Sequence, residues 1–128
     1  VNLIKEEEKA TEEIKRIGEE LAVLPIKATV VFPSLIVPLV VTEQKYAKLI
    51  DEILMGGKAI GLFARKNIEE EHASIEDIYR VGTAASILKM LRFPDGSVRV
   101  LVQGLSRIRV KSFLETEPYA VARIEVID

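Results

Sequence analysis

Hydrophobic and polar positions along the chain predict two helices and a run of strands. Residues 2–18 carry the first helical pattern, with Glu6, Glu7 and Glu8 near its start, Lys15 and Arg16 in the last turn and Gly18 as a stop, the polarity a helix dipole favours. Its apolar seam, Leu3, Ala10, Ile14, Ile17 and Leu21, is thin and broken by Glu7. The spacing predicts a surface helix that packs lightly, since a coiled coil needs more heptads. After it the period falls from near four to two. Residues 21–26 form a short strand whose Pro25 marks an edge or an end. Residues 30–41 form an apolar loop and strand, bent by Pro33 and Pro38 around Leu35-Ile36-Val37.

A second helix begins at Thr42, a suitable N-cap, with Glu43 in its first turn; Tyr46, Ile50, Ile53 and Leu54 make its buried face and Gly56-Gly57 end it. Residues 58–64 read as a strand buried on both faces, and residues 65–74 as a charged loop. Residues 81–93 and 97–111 are two long strands joined by Pro94-Asp95-Gly96, where Asp-Gly supplies the positive φ angles a tight hairpin requires. Gly104 interrupts the second of them, and the alternation is expected to reset there as at a β-bulge. Residues 119–127 close the set, with Ala120, Ala122, Ile124 and Val126 on one face and Arg123 and Glu125 on the other. The pattern predicts an α+β, mainly β fold of about six strands with one packed helix. A small barrel would pair the first and last strands and leave no long open edge. The domain boundaries expected are a helical extension over residues 1–18 and a barrel domain over residues 19–128.

Composition narrows the chemistry. The 128 residues are 48% hydrophobic, enough for one core, and include three Tyr, four Phe and no Trp, so stacking platforms are few. Absence of cysteine excludes disulfides, thiolate metal sites and thiol nucleophiles, and the single histidine, His72, must serve any Ser-His-Asp triad. Net charge is −2, and residues 1–20 hold seven acidic against four basic side chains, so the remainder is close to neutral. Binding to nucleic acid rests on phosphate neutralisation, so a nucleic-acid partner is not expected. The longest apolar stretch, residues 30–41, contains two prolines and is too short to span a bilayer. A soluble, cytoplasmic protein without a membrane partner is expected.

Individual motifs fail as catalytic sites. Gly56-Gly57-Lys58 lacks the P-loop's earlier glycine, where Glu52 stands, and its following hydroxyl, where Ala59 stands. Glu69-Glu70-Glu71 with His72 reads as a solvated loop rather than a metal site. Ser34, Ser86, Ser97 and Ser106 have no nucleophile elbow, and Lys89 is expected on the strand face opposite Ser86. No catalytic, cofactor or metal residue is assigned. Arg107, Arg109 and Lys111 line one strand face, with Arg99 further along. The reading preferred is a solvent face, and a row for RNA phosphates is the competing one. The apolar tip Phe32-Pro33-Ser34-Leu35-Ile36-Val37-Pro38 is either an exposed partner surface or a buried strand capping the barrel, and Met90, Leu91 and Phe93 share that ambiguity.

The order of segments resembles a known family. Leu24-Pro25-Ile26, Val30-Val31-Phe32-Pro33, Val37-Pro38-Leu39, the run from Asp77-Ile78-Tyr79-Arg80 to Val81-Gly82-Thr83-Ala84, the segment Pro94-Asp95-Gly96-Ser97 continuing through Val102-Gln103-Gly104, and Glu117-Pro118-Tyr119 before Ala122-Arg123 together resemble the N-terminal domain of the Lon ATP-dependent proteases over residues 21–127. Lys27-Ala28 and Ser34 depart from the family pattern, which often has a basic–acidic pair at the first and glycine at the second. The resemblance implies a PUA-like β-barrel with one helix. It also implies a domain that recognises unfolded or damaged proteins for an AAA+ ATPase and a Ser-Lys peptidase domain of the same polypeptide. ATP and Mg, and assembly into a hexamer, are then expected of the full-length protein, while this chain holds no cofactor and is not itself an enzyme. Apolar contact residues expected for substrate are Phe32, Pro33, Leu35 and Ile36, with Met90, Leu91 and Phe93 as a second group. The competing readings are a stand-alone Lon-type ligand or degron receptor and a PUA-like RNA-binding module.

Overall fold

A computed structural model of the chain describes residues 20–27, 31–56, 59–66, 77–116 and 119–127. The expected helix and boundary over residues 1–18, and the carboxylate–histidine loop 69–72, lie outside them. Six strands and one helix follow in the order β1 (Glu20–Ile26), β2 (Ile36–Val41), α1 (Gln44–Gly56), β3 (Ile60–Ala64), β4 (Val81–Arg92), β5 (Val98–Glu115) and β6 (Val121–Ile127). As expected from the sequence, the fold is mainly β with one packed helix.

The strands form one sheet in the order β2-β5-β4-β3-β1-β6, and β6 also pairs with β5. That last pairing closes a ring of β1, β3, β4, β5 and β6, leaving β2 as an added sixth strand. The first and last strands meet antiparallel, Leu21 opposite Ala122. β1 and β3 run parallel, Val23 beside Gly61, so the chain between them crosses over through β2 and α1. β5 is paired along one edge by β4, while its other edge is divided: β2 takes residues 98–103 and β6 takes residues 107–115.

Side chains gather in two clusters on opposite sides of β1 and β3. Leu24, Ile26, Ile60 and Leu62 face the first cluster, which α1 covers with Ala47, Leu49, Ile50 and Ile53. Leu21, Val23, Ala59 and Phe63 face the second, filled by Ile108, Val110, Ala122 and Ile124. This explains why β3 is apolar without alternation. Leu49 takes the place on the buried helix face expected for Leu54, which sits in the last turn and is exposed. The helix also starts one position later than expected: the Glu43 carbonyl accepts the first helical N–H groups, from Tyr46 and Ala47, so Glu43 rather than Thr42 is the N-cap residue. Tyr119, just before β6, donates to Glu52 of α1 over 3.1 Å, and burial foremost, with that bond, pushes its phenol above the usual range.

Bulges bend the long strands. Ala84 pairs with Ser106 and Ala85 with Gly104, so Leu105 is the extra residue on β5. The alternation does not reset on β5, however, where even-numbered residues stay buried from Val98 to Val110. It slips on β4 instead, because Ala84 packs in the second cluster and Ala85 in the first. Gly104 has another use. Its N–H donates to Leu35 O and its carbonyl accepts from Ser34 N–H, each over 2.9 Å, which lays the turn 32–35 flat against β5. A Cβ at Gly104 would stand 3.0 Å from the Phe32 carbonyl carbon and 3.2 Å from Pro33 Cα. In the turn, Leu35 N–H donates to Phe32 O, Pro33 occupies the second position and Ser34 the third with φ of 73°, the type II pattern that prefers glycine there.

The β4–β5 hairpin turns at Pro94-Asp95-Gly96 as expected, but of the Asp-Gly pair only Gly96 takes a positive φ. Gly96 N–H donates to Phe93 O over 3.0 Å and Gly96 adopts φ of 90°, a three-residue loop closed by a glycine bulge. Asp95 accepts from the Ser97 N–H at 2.9 Å and its Oγ–H at 2.6 Å, and these bonds hold its carboxyl below the usual range. Three outcomes follow. Gly104→Ala lowers stability by about 2 kcal/mol in thermal or urea unfolding, because the turn must lift away from β5. Ser34→Gly raises it by about 0.5–1 kcal/mol by removing the left-handed strain. A lowered carboxyl pKa contributes stability that is present above the unfolded value and lost as pH falls through the folded one. The Ser97 amide shift should therefore titrate with a midpoint below the unstructured Asp value of about 3.9, and Asp95→Asn should flatten that titration.

Candidate functional site

The turn 32–35 and the strand after it lie on the surface. Phe32 is 50% exposed, Leu35 51%, Ile36 55% and Val40 63%. The exposed alternative left open by the sequence is the one realised, while Val31, Leu39 and Val41 supply the buried side of the same stretch. Phe32 lies with the Arg107 guanidinium 6.0 Å from its ring centre, so a cation borders the tip.

Pairing carries this surface across three strands. The outward-facing residues form cross-strand rows: Ile36–Gln103–Ser86, Pro38–Leu101–Lys89 and Val40–Arg99–Leu91. Direct neighbours in such rows are about 5 Å apart and diagonal ones about 7–8 Å, so Ile36, Pro38, Val40, Leu101 and Leu91 make one continuous apolar face. Leu88, the extra residue of a second bulge between Ile87 and Lys89, is also exposed beside it. Two cations, Lys89 and Arg99, stand within these rows and no carboxylate does.

The two groups expected from sequence thus meet in part. Ile36 and Leu91 share the outer face, and Phe32, Pro33 and Leu35 stand at its lower end by Gly104. Phe93 is half-buried at the hairpin end, covered by the Arg99 guanidinium at 4.6 Å. Met90 pairs with Val100 and packs against the first cluster, so it belongs to the inner side. Val40 and Leu101 stand outside the groups expected from sequence, and Pro38, the last residue of the apolar tip, is not among its expected contacts. Their signal was alternation: in both strands the partners one residue away are buried, which left these three outside.

The bulge at Leu88 also corrects a parity. Ser86 and Lys89 face the same side, because the extra residue restores what three steps along a regular strand would reverse. No hydrogen bond joins them, and Ser97 Oγ–H donates to Asp95. Among the described residues no group of three metal-ligating side chains occurs. In the basic row of β5, Arg109 is ion-paired with Glu125 at 3.2 Å and Arg107 lies over Phe32, so two of its three cations already have partners. No helix among the described residues is long and apolar enough to cross a membrane.

Comparison with known proteins places this geometry. The family model described as the ATP-dependent protease La (LON) substrate-binding domain matches residues 20–128. Lon protease from Dictyoglomus thermophilum is 45% identical over 122 residues, covering 95% of this chain and 15% of that protein. Lon protease from Trichlorobacter lovleyi is 43% identical over 114 residues, covering 89% and 14%. The chain therefore spans about one-seventh of the length of these relatives. Among solved structures, a Lon N-terminal domain protein from Xanthomonas campestris superposes with a TM-score of 0.65 at 19% identity, covering 85% of this chain and 60% of that one. The N-terminal domain of the Mycobacterium avium complex Lon protease gives 0.57 at 19% identity, covering 85% and 55%. At that identity the superpositions speak for the fold, and the family model with the closer sequences speaks for descent: the chain belongs to the Lon substrate-binding domain family.

Proposed function

We propose that the outer face of β2, β5 and β4 holds apolar segments of unfolded or damaged proteins for degradation by a Lon protease. The observation that carries this reading is the continuous exposed row system of Ile36, Pro38, Val40, Leu101 and Leu91, continued by Leu35 and Phe32 at the turn. Exposed apolar area of this extent on a stable sheet is commonly a contact surface. It is shallow and built from aliphatic groups, so it selects by hydrophobicity rather than by shape, the property a broad and weak receptor requires. Folded proteins conceal such segments in their cores and are passed over.

Chemistry is left to other parts of the enzyme. In this reading ATP with Mg, the AAA+ and peptidase domains, and the hexameric ring belong to the full-length cytoplasmic protease, and this domain supplies grip. Lys89 and Arg99 within the face add a bias. They favour apolar segments flanked by acidic residues and repel those flanked by lysine.

Two measurements test this. Binding of a fluorescent, reduced and carboxymethylated client protein, followed by anisotropy, should weaken at least about tenfold in Leu101→Asp and in Leu91→Asp, with thermal unfolding nearly unchanged because both side chains point outward. Folded variants that bind as wild type would overturn the assignment, and Leu35→Asp extends the test to the turn. Second, an apolar peptide flanked by Glu should bind more tightly than the same peptide flanked by Lys, with the difference shrinking as salt rises. Equal affinities at low salt would remove the role given to Lys89 and Arg99.

A further inference from the structure

Among the described residues β2 is paired on one side only, by β5. The phase of that ladder is set by the Gly104 N–H, which donates to Leu35 O in line with the register Ile36–Gln103. Antiparallel neighbours alternate between hydrogen-bonded and non-bonded pairs. Leu35, Val37, Leu39 and Val41 therefore direct their backbone groups at β5, and Ile36, Pro38 and Val40 direct theirs outward. Pro38 sits where the internal ladder loses nothing by its missing N–H. The outward edge then presents three carbonyls and two N–H groups at two-residue intervals. Among the described residues none pairs with it. A groove of about 350 Å³ runs beside this edge, lined by Leu24, Pro25 and Ile26 of β1 across from Pro38 and Val40, with Tyr46 also in its wall.

We propose that an extended segment of an unfolded polypeptide adds to β2 in this groove as a further strand. The inference rests on the polypeptide-binding reading and refines it, because recognition would pass through the client's backbone as well as its apolar side chains. The spacing of the groups selects the occupant. A helix satisfies its own backbone, and a polyanion, though Lys27 and Arg65 also line the groove, meets three carbonyls and Glu43, whereas an extended chain offers donors and acceptors at the same two-residue interval. A second copy of β2 fits poorly. Two edges paired about a two-fold axis at Pro38 would lose both central hydrogen bonds, so the proline guards against self-association while leaving the flanking groups for a client. The missing central donor also keeps the added strand weakly held and releasable.

The test uses the 128-residue chain and a fluorescein-labelled ten-residue peptide of alternating Val and Thr, with two further versions N-methylated at every Val or at every Thr. Val40→Ala trims the apolar face but keeps the outward N–H and so measures the side-chain share, while Val40→Pro, which removes that N–H, should weaken binding at least about tenfold further. Pro38→Val restores the missing donor and should tighten binding by about three- to tenfold. One N-methylated peptide should lose binding and the other retain it, since only one peptide edge faces β2. Equal weakening by Val40→Pro and Val40→Ala, or parent-like binding by both N-methylated peptides, overturns the proposal. Should Val40→Pro not fold by circular dichroism, Pro38→Val and the methylated peptides decide. A wild-type dimer in sedimentation that Val40→Pro dissociates makes a second copy the occupant and also overturns it. Failure of wild type to bind any of these peptides sinks the polypeptide-binding reading as well, whereas parent binding that is lost in Leu101→Asp but indifferent to N-methylation sinks strand addition alone.

Discussion

Everything in this domain is arranged around the hydrogen-bonding demand of β5. An 18-residue strand exposes two long rows of backbone donors and acceptors, and leaving either row unpaired and buried is expensive. β4 meets one row from Val98 to Arg109, and the Arg80 carbonyl accepts from the Val110 N–H just beyond. No single remaining element could meet the other, so it is divided between β2 and β6, with the turn 32–35 bridging the gap at Gly104. That division separates the two hydrophobic clusters and closes the ring through β6. It also puts β2 at an outer position with an apolar face and an edge that no described residue pairs.

Much of this was legible in the chain. The hairpin at Asp95-Gly96, the doubly buried β3 and the alternating β6 are local patterns whose signals sit within a few residues. What was not legible was parity across bulges. Ser86 and Lys89, three residues apart, share a face only because Leu88 is unpaired, and no local property of Leu88 announces this. Leu101 was hidden for a different reason: its alternation with Val100 and Val102 places it outside, but a leucine among valines reads as core by residue type alone. The helix start was misplaced by one residue because Thr42 is the favoured N-cap type, whereas the Glu43 carbonyl is the one that accepts the first helical N–H groups.

The placement of charge separates two surfaces that composition made look alike. Arg99 within the apolar face and Arg107 at its border both lie over aromatic rings, where the guanidinium planes extend contact area as much as they add charge. Arg109, on the lower half of the same strand, is tied to Glu125 of β6, and the surface there alternates in sign. A phosphate backbone needs a run of unengaged cations, which that half does not offer. Apolar segments need the opposite, aliphatic surface bordered by polarisable groups, which the upper half does offer.

The meeting of β1 with β6 has a consequence for the order of events during synthesis. β6 joins the earliest described strand to the latest, so the ring cannot close until the last strand has left the ribosome, while β2, β4 and β5 are available sooner. At about 5–20 residues per second the gap lasts on the order of seconds. In that interval the nascent domain displays the second cluster's leucines and isoleucines to the cell. Under the proposed function, the domain is thus, for a short time, of the same kind as its clients, and closing the ring is what separates the two.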